Sequence, residues 1–286
     1  MRIEGQSGNV EDRRGMSRGG RGLVGGGLGM IILVVVGMLF GIDPRVILGL
    51  AGTVQTVQNQ VAPPKVEGAK GPLSDEMGRF VSGVLADTEK TWNTLFQQLG
   101  RQYREPTLVL FTGATPTACG TGQAAMGPFY CPLDQKVYID LAFYQQLRDR
   151  FKAPGDFAQA YVIAHEIGHH VQNQLGIMQK MDGFRQRMSE SQYNALSVRL
   201  ELQADCLAGV WAHHAQNRNL LEAGDVEEAM RAAAAIGDDT IQRRTQGRVV
   251  PDSFTHGTSE QRMRWFMTGM KSGQISACNT FEGGSN

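Results

Sequence analysis

His165, Glu166 and His169 open the stretch HEIGHHVQNQLG, and their spacing is what points to chemistry. Side chains at i and i+4 project from one face of a helix, so two imidazoles there can converge on one ion. Glu166 is rotated from His165 by about 100° around the helix axis, too far to become a third ligand from the same helix but able to reach a water on the metal. That is the position of a general base. His170 points in a different direction from His169 and reads as a structural or supporting residue. As a bare string, HExxH recurs by chance in unrelated helices, so the rest of the chain has to complete a site.

A catalytic zinc takes three protein ligands and keeps one position for water. The third histidine of an HExxHxxGxxH pattern is missing, because Gln172 and Leu175 stand where its glycine and histidine belong. The segment RLELQADCLAGVW, residues 199 to 211, instead offers Glu201 and Asp205 one helical turn apart. Like charges at that spacing repel, and burying them uncompensated costs several kcal/mol. A divalent cation removes the conflict. The expected site is therefore one Zn2+ per chain held by His165, His169 and Glu201. Glu166 is its base, and Asp205 accepts a hydrogen bond from the far nitrogen of His165 to fix its tautomer. His213 and His214 are rival third ligands, and a solvated acidic pair beside Arg199 is the alternative reading of Glu201 and Asp205.

These residues need helices to carry them. Asp156, with Gln159 three residues on, reads as a capped helix start and Gly176 as the stop, and Phe157, Ala160, Ala164, Ile167, Val171 and Leu175 give that helix a face to bury. Gly168 in its middle costs roughly 1 kcal/mol relative to alanine and so implies close approach by another element. Upstream, Ser74 caps a core helix that runs from Phe80 to Leu99 and stops at Gly100. Thr107 to Phe111 reads as a buried strand and is followed by a Gly/Ala/Thr-rich loop. Phe129 to Cys131 and Lys136 to Asp140 read as a hairpin, and residues 141 to 151 as a short helix. Helices follow to about Met270. The fold class is α+β, predominantly helical, with a small antiparallel sheet.

Lysine plus arginine equals aspartate plus glutamate at 28 each in 286 residues, so no basic footprint argues for nucleic acid as a partner. Residues 22 to 42, GLVGGGLGMIILVVVGMLFGI, carry no charge and are long enough to cross a bilayer as the one transmembrane helix. Arg13, Arg14, Arg18 and Arg21 precede that span, whereas Asp43 comes before Arg45. The positive-inside bias then gives a single-pass protein of the bacterial inner membrane, with its amino terminus cytoplasmic and its domain periplasmic or extracellular. A cleaved signal peptide is the alternative, and it exports the domain equally. The expected organisation is a cytoplasmic tail at 1–21, the span at 22–42, a linker at 43–73 and the folded domain at 74–282. Glycines four apart in the span permit a homodimer through that helix. The four cysteines form an even set in an exported chain, which favours disulfides. Of three possible pairings, Cys119 with Cys131 is the natural local pair and leaves Cys206 with Cys278; free buried thiols are the alternative.

HEIGHH followed by ELQAD resembles the gluzincin arrangement of zinc metallopeptidases. With NVEDRRG, TACG, GPFYCP and HGTSEQR, the chain is similar over nearly its whole length to the bacterial neutral zinc metallopeptidase family of membrane-anchored proteins. The resemblance implies a zincin-like domain that hydrolyses peptide bonds in a polypeptide substrate. It also implies that an antiparallel edge strand receives that substrate in extended form, for which the hairpin from Phe129 to Asp140 is the candidate. His256 precedes a capping box formed by Thr258 and Gln261 and is a candidate catalytic residue for stabilising an oxyanion, a structural loop histidine being the alternative. The rival function is a catalytically inactive, zinc-stabilised membrane protein that binds partners or unfolded exported chains.

Overall fold

The computed structural model describes residues 1–16, 67–185 and 187–282. Its elements run β1 (Val10–Asp12), β2 (Ala69–Lys70), α1 (Glu76–Gln98), β3 (Thr107–Phe111), β4 (Ala114–Thr117), β5 (Gly120–Gln123), β6 (Phe129–Cys131), β7 (Lys136–Asp140), α2 (Ala142–Asp149), α3 (Asp156–Gln174), α4 (Ile177–Arg185), α5 (Glu190–Asn217), α6 (Asp225–Ala235), α7 (Asp238–Gln246) and α8 (Ser259–Ser272). Strand β3 and the β6–β7 hairpin match the sequence expectation. The helix boundaries move slightly: Asp75, not Ser74, caps α1 by accepting from the amide of Gly78. Gly155 is the N-cap of α3, whose first-turn amide at Phe157 is met by Glu228 across the fold.

The sheet is mixed, which corrects the antiparallel expectation. Its order is β2-β1-β3-β7-β6. β1, β3 and β7 run parallel, while β2 and β6 are antiparallel additions at the two edges. The central strand TLVLF is apolar throughout and buried from Leu108 to Phe111, as a strand covered on both faces must be. Parallel pairing joins segments far apart in the chain, so no local alternation announces it. The Gly/Ala/Thr-rich loop folds into a second, two-stranded sheet, β4–β5, and the disulfide Cys119–Cys131 fastens it to β6.

Residues 1–16, which the sequence sets apart as a tail, are part of the domain. β1 lies between β2 and β3: Leu108 donates its amide to the carbonyl of Asn9 at 2.9 Å and Arg13 donates to Leu110 at 2.7 Å. Buried Glu11 accepts from Arg13 at 2.8 Å and from Lys136 at 2.7 Å, and Met1 sits in the core with its ammonium against Asp156 and Glu222. The folded domain thus begins well before Ser74 and also takes in β2 and Leu73 from the expected linker. The two segments flanking residues 17–66 are thus joined in one sheet. The span at 22–42 and the homodimer contact expected through it lie outside the described residues. Among the described residues, no helix is long and apolar enough to cross a membrane.

Helix α3 is buried over most of its length and packs against β6, β7, α1, α5 and α6. Phe157 stacks on Trp211 of α5 with ring centroids 5.7 Å apart. The closest approach is at Gly168, where an added Cβ would come within 2.9 Å of the carbonyl oxygen of Ala204. This is the neighbour that a mid-helix glycine implied. α5 in turn crosses α8 backbone to backbone: a Cβ on Gly269 would stand 1.9 Å from the carbonyl oxygen of Cys206. The disulfide Cys206–Cys278 then ties α5 to the 3-10 turn Ile275–Cys278 that follows α8.

Candidate metal centre

Helices α3 and α5 bring His165, His169 and Glu201 to one point. A ligand atom from each lies within 4.8 Å of the others, with His165 Nε2 at 3.1 Å from Glu201 Oε2 and His169 Nε2 at 3.4 Å from Glu201 Oε1. The two imidazoles meet edge to face with centroids 4.8 Å apart, and both are buried.

The far nitrogens of both rings are already committed. His165 Nδ1 stands 2.9 Å from Asp205 Oδ1, and a carboxylate oxygen only accepts, so this nitrogen carries the proton. His169 Nδ1 stands 2.8 Å from Gln172 Oε1. The amide of Gln172 is oriented by its own donor, which reaches Leu200 O at 2.7 Å and Gln203 Oε1 at 3.1 Å. Both Nε2 atoms therefore face the Glu201 carboxylate, and the proton each shares with it in the metal-free protein occupies the place a cation would take. The electrostatics agree. Burial opposes charge on His165, yet Asp205 and Glu201 outweigh it and push the imidazole up to about 10. His169 is raised, against its own burial, chiefly by Glu201. Glu201 is held well below the usual carboxylate range despite burial, by His169, His256 and His165. Nitrogen and oxygen donors on a rigid two-helix frame fit zinc.

Glu166 follows His165 on the same helix, and its burial raises the carboxyl above its ordinary value. His256 sits in the loop before α8. Asp238, the first residue of α7, holds that loop with one oxygen on the amides of Thr255, His256 and Gly257 at 2.7, 2.6 and 3.0 Å. Its other oxygen lies 3.3 Å from His256 Nδ1. The His256 side chain is 38% exposed. Burial of the ring opposes a charge, but Glu201 and Asp238 outweigh it and raise the imidazole, so His256 belongs to the electrostatic surroundings of Glu201.

The remaining histidines are elsewhere. His213 and His214 reach the carbonyls of Met270 and Gly273 at 2.9 and 3.0 Å; they staple α5 to the end of α8 and are not ligands. His170 is structural: its Nδ1 meets the hydroxyl of Tyr130 on β6 at 2.9 Å, its Nε2 lies against the carbonyl of Arg104, and burial lowers it to about 4. A second acidic group, Asp156, Asp225 and Glu228, already accepts from the Met1 ammonium and the Phe157 amide.

Residues 1–281 match the model of the family described as "Putative neutral zinc metallopeptidase". The chain belongs to this family. Among curated proteins it is similar to "Uncharacterized protein YpfJ" of Escherichia coli K12, with 51% identity covering 98% of this chain and 99% of the relative. It is also similar to "Uncharacterized protein Rv2575" of Mycobacterium tuberculosis H37Rv, with 39% identity covering 85% and 84%. No solved structure gives a significant match.

In this family member, sequence reasoning missed four residues around the candidate metal centre. Gln172, three residues after His169, could have been found by its i+3 spacing. Tyr161, four residues before His165 on the same helix, was open to the same argument; Asp238 and Arg262 were not, because nothing local links them to the motif. The hydroxyl of Tyr161 donates to Asp205 Oδ1, and Arg262 of α8 takes both oxygens of Asp205, with Nε to Oδ2 at 2.8 Å and Nη2 to Oδ1 at 2.9 Å.

Proposed function

We propose that this protein is a zinc-dependent endopeptidase whose ion is held by His165, His169 and Glu201. The observation that carries this reading is the convergence of three ligand atoms within 4.8 Å with both histidine tautomers already fixed from behind. Bound zinc would polarise a substrate carbonyl as a Lewis acid and make water acidic enough to attack it. Glu166 would accept a proton from the attacking water and deliver it to the departing amine. Burial raises its proton affinity, which favours taking up the proton it must later deliver. His256, braced by Asp238, would donate from its remaining nitrogen to the developing oxyanion.

Strand β6 ends the main sheet and is tied to the metal helix by the Tyr130–His170 contact, so an extended polypeptide substrate adds along this edge by backbone hydrogen bonds. The two disulfides favour an oxidising compartment. Backbone ladders cannot form across a bilayer, so the β1–β3 pairing supports placing the whole domain, β1 included, on one side of the bacterial cell membrane; attachment through the apolar residues 22–42 would hold it there, on the outer side.

The test uses the full chain reconstituted with one equivalent of zinc and an unfolded casein-like substrate. Glu166→Gln is expected to keep its zinc and lose cleavage by roughly 10²–10⁴-fold. Zinc retained by the wild type without cleavage of any unfolded substrate would overturn the catalytic reading in favour of a zinc-stabilised binding protein.

A further inference from the structure

Behind His165 lies a buried ionic cluster that metal ligation alone does not explain. Asp205 is 0% exposed and Arg262 2% exposed. One oxygen of Asp205, Oδ1, collects three donors: His165 Nδ1 at 2.9 Å, the Tyr161 hydroxyl, and Arg262 Nη2 at 2.9 Å. The other, Oδ2, is taken by Arg262 Nε at 2.8 Å. The guanidinium is itself oriented, with Nη2 3.3 Å from the Tyr161 oxygen and Nη1 3.3 Å from the carbonyl of Ile236.

A buried ion pair is weak evidence of stabilisation, because desolvation of both partners offsets their attraction. Apolar residues of similar volume would hold α8 against α5 equally well, so the pair calls for a different purpose. A planar fork on both oxygens fixes the plane of a carboxylate, which a point charge cannot do. The fork also has a rigid base, since α5 and α8 touch backbone to backbone at Cys206 and Gly269.

We propose that Arg262 is a positioning residue of the metal centre: its fork on Asp205 sets the carboxylate that holds His165, and so aims His165 Nε2 at the ion. The hydroxyl of Tyr161 is the second brace on the same oxygen. This inference rests on the zinc reading of His165, His169 and Glu201.

The experiment is a zinc titration by chelator competition on the full chain, in a double-mutant cycle. Arg262→Lys keeps the positive charge near the ion and removes the fork, so its effect reports geometry. Zinc affinity is expected to fall about tenfold in Arg262→Lys and in Asp205→Asn. Arg262→Lys added to Asp205→Asn should cost less than about twofold, because the two act as one unit. The absorption spectrum of the Co2+-substituted protein should change in Arg262→Lys, and Tyr161→Phe should lower zinc affinity in the same direction by a smaller factor. Should Arg262→Lys fail to fold, Tyr161→Phe in the same cycle decides. Wild-type zinc affinity in a folded Arg262→Lys, or an equal loss with and without Asp205, overturns the proposal. A wild-type chain that takes up no zinc overturns the metal reading itself and is recognised before any variant is compared.

Discussion

Gly168 lies against Ala204 so closely that a Cβ on the glycine would stand 2.9 Å from the alanine's carbonyl oxygen. This contact sets the spacing between the helix that carries His165 and His169 and the helix that carries Glu201. In an exposed helix, Gly→Ala stabilises by about 1 kcal/mol. Here the obstructing atom is backbone, and overpacking of a filled contact costs about 1–3 kcal/mol. Gly168→Ala is therefore expected to lower stability on balance and to weaken zinc binding by separating α3 from α5, as checked by thermal unfolding of the metal-free form and by zinc titration. A variant more stable than wild type would show that the helices have room to spare.

His256 and Asp238 should affect turnover without affecting the metal. His256→Ala is expected to reduce kcat by about 10²-fold, the size typical of a lost oxyanion donor, with zinc stoichiometry unchanged. Asp238→Asn should lower kcat by a smaller factor, since it leaves the imidazole in place but weakens its brace. Loss of zinc from His256→Ala would make that residue a ligand and contradict the assignment.

The position of β1 makes a topological prediction. Glu4 and Leu133 are both exposed, one at the chain's start and one at the tip of the β6–β7 hairpin. Cysteines placed at these two sites should respond alike to a membrane-impermeant maleimide on intact cells or spheroplasts, both labelled or both protected. Opposite responses would break the β1–β3 pairing.

The metal-free protein should lose stability as pH rises. His165 is raised in the fold from 6.5 to about 10 because Asp205 and Glu201 outweigh its burial. Its contribution is fully present below 6.5 and is lost as pH climbs through about 10. Denaturant midpoints measured with a chelator present should decline across that window. Zinc binds only the deprotonated rings, so its affinity should climb over the same range and the zinc-loaded protein should stay flat. A chelated protein with no decline would mean that the imidazoles face no buried carboxylates.

Local spacing carried the core of the site. The i, i+4 pair His165 and His169 and the one-turn spacing of Glu201 and Asp205 are properties of single helices, and Gly168 announced a close neighbour before that neighbour was known. The β6–β7 hairpin, its strands joined by a short turn, was legible for the same reason, as were the capping box at Thr258 and Gln261 and the pairing of Cys119 with Cys131. Tertiary structure decided whatever depends on segments meeting from far along the chain. β1 enters the sheet beside β3 through parallel pairing, which leaves no local periodicity to read. Asp238 finds His256 only because α7 packs against α8 and the loop before it, and Arg262 finds Asp205 only because α8 folds back over α5. A charged residue whose partner is supplied by another element looks in sequence like any solvated charge, and burial alone turns it into part of the site.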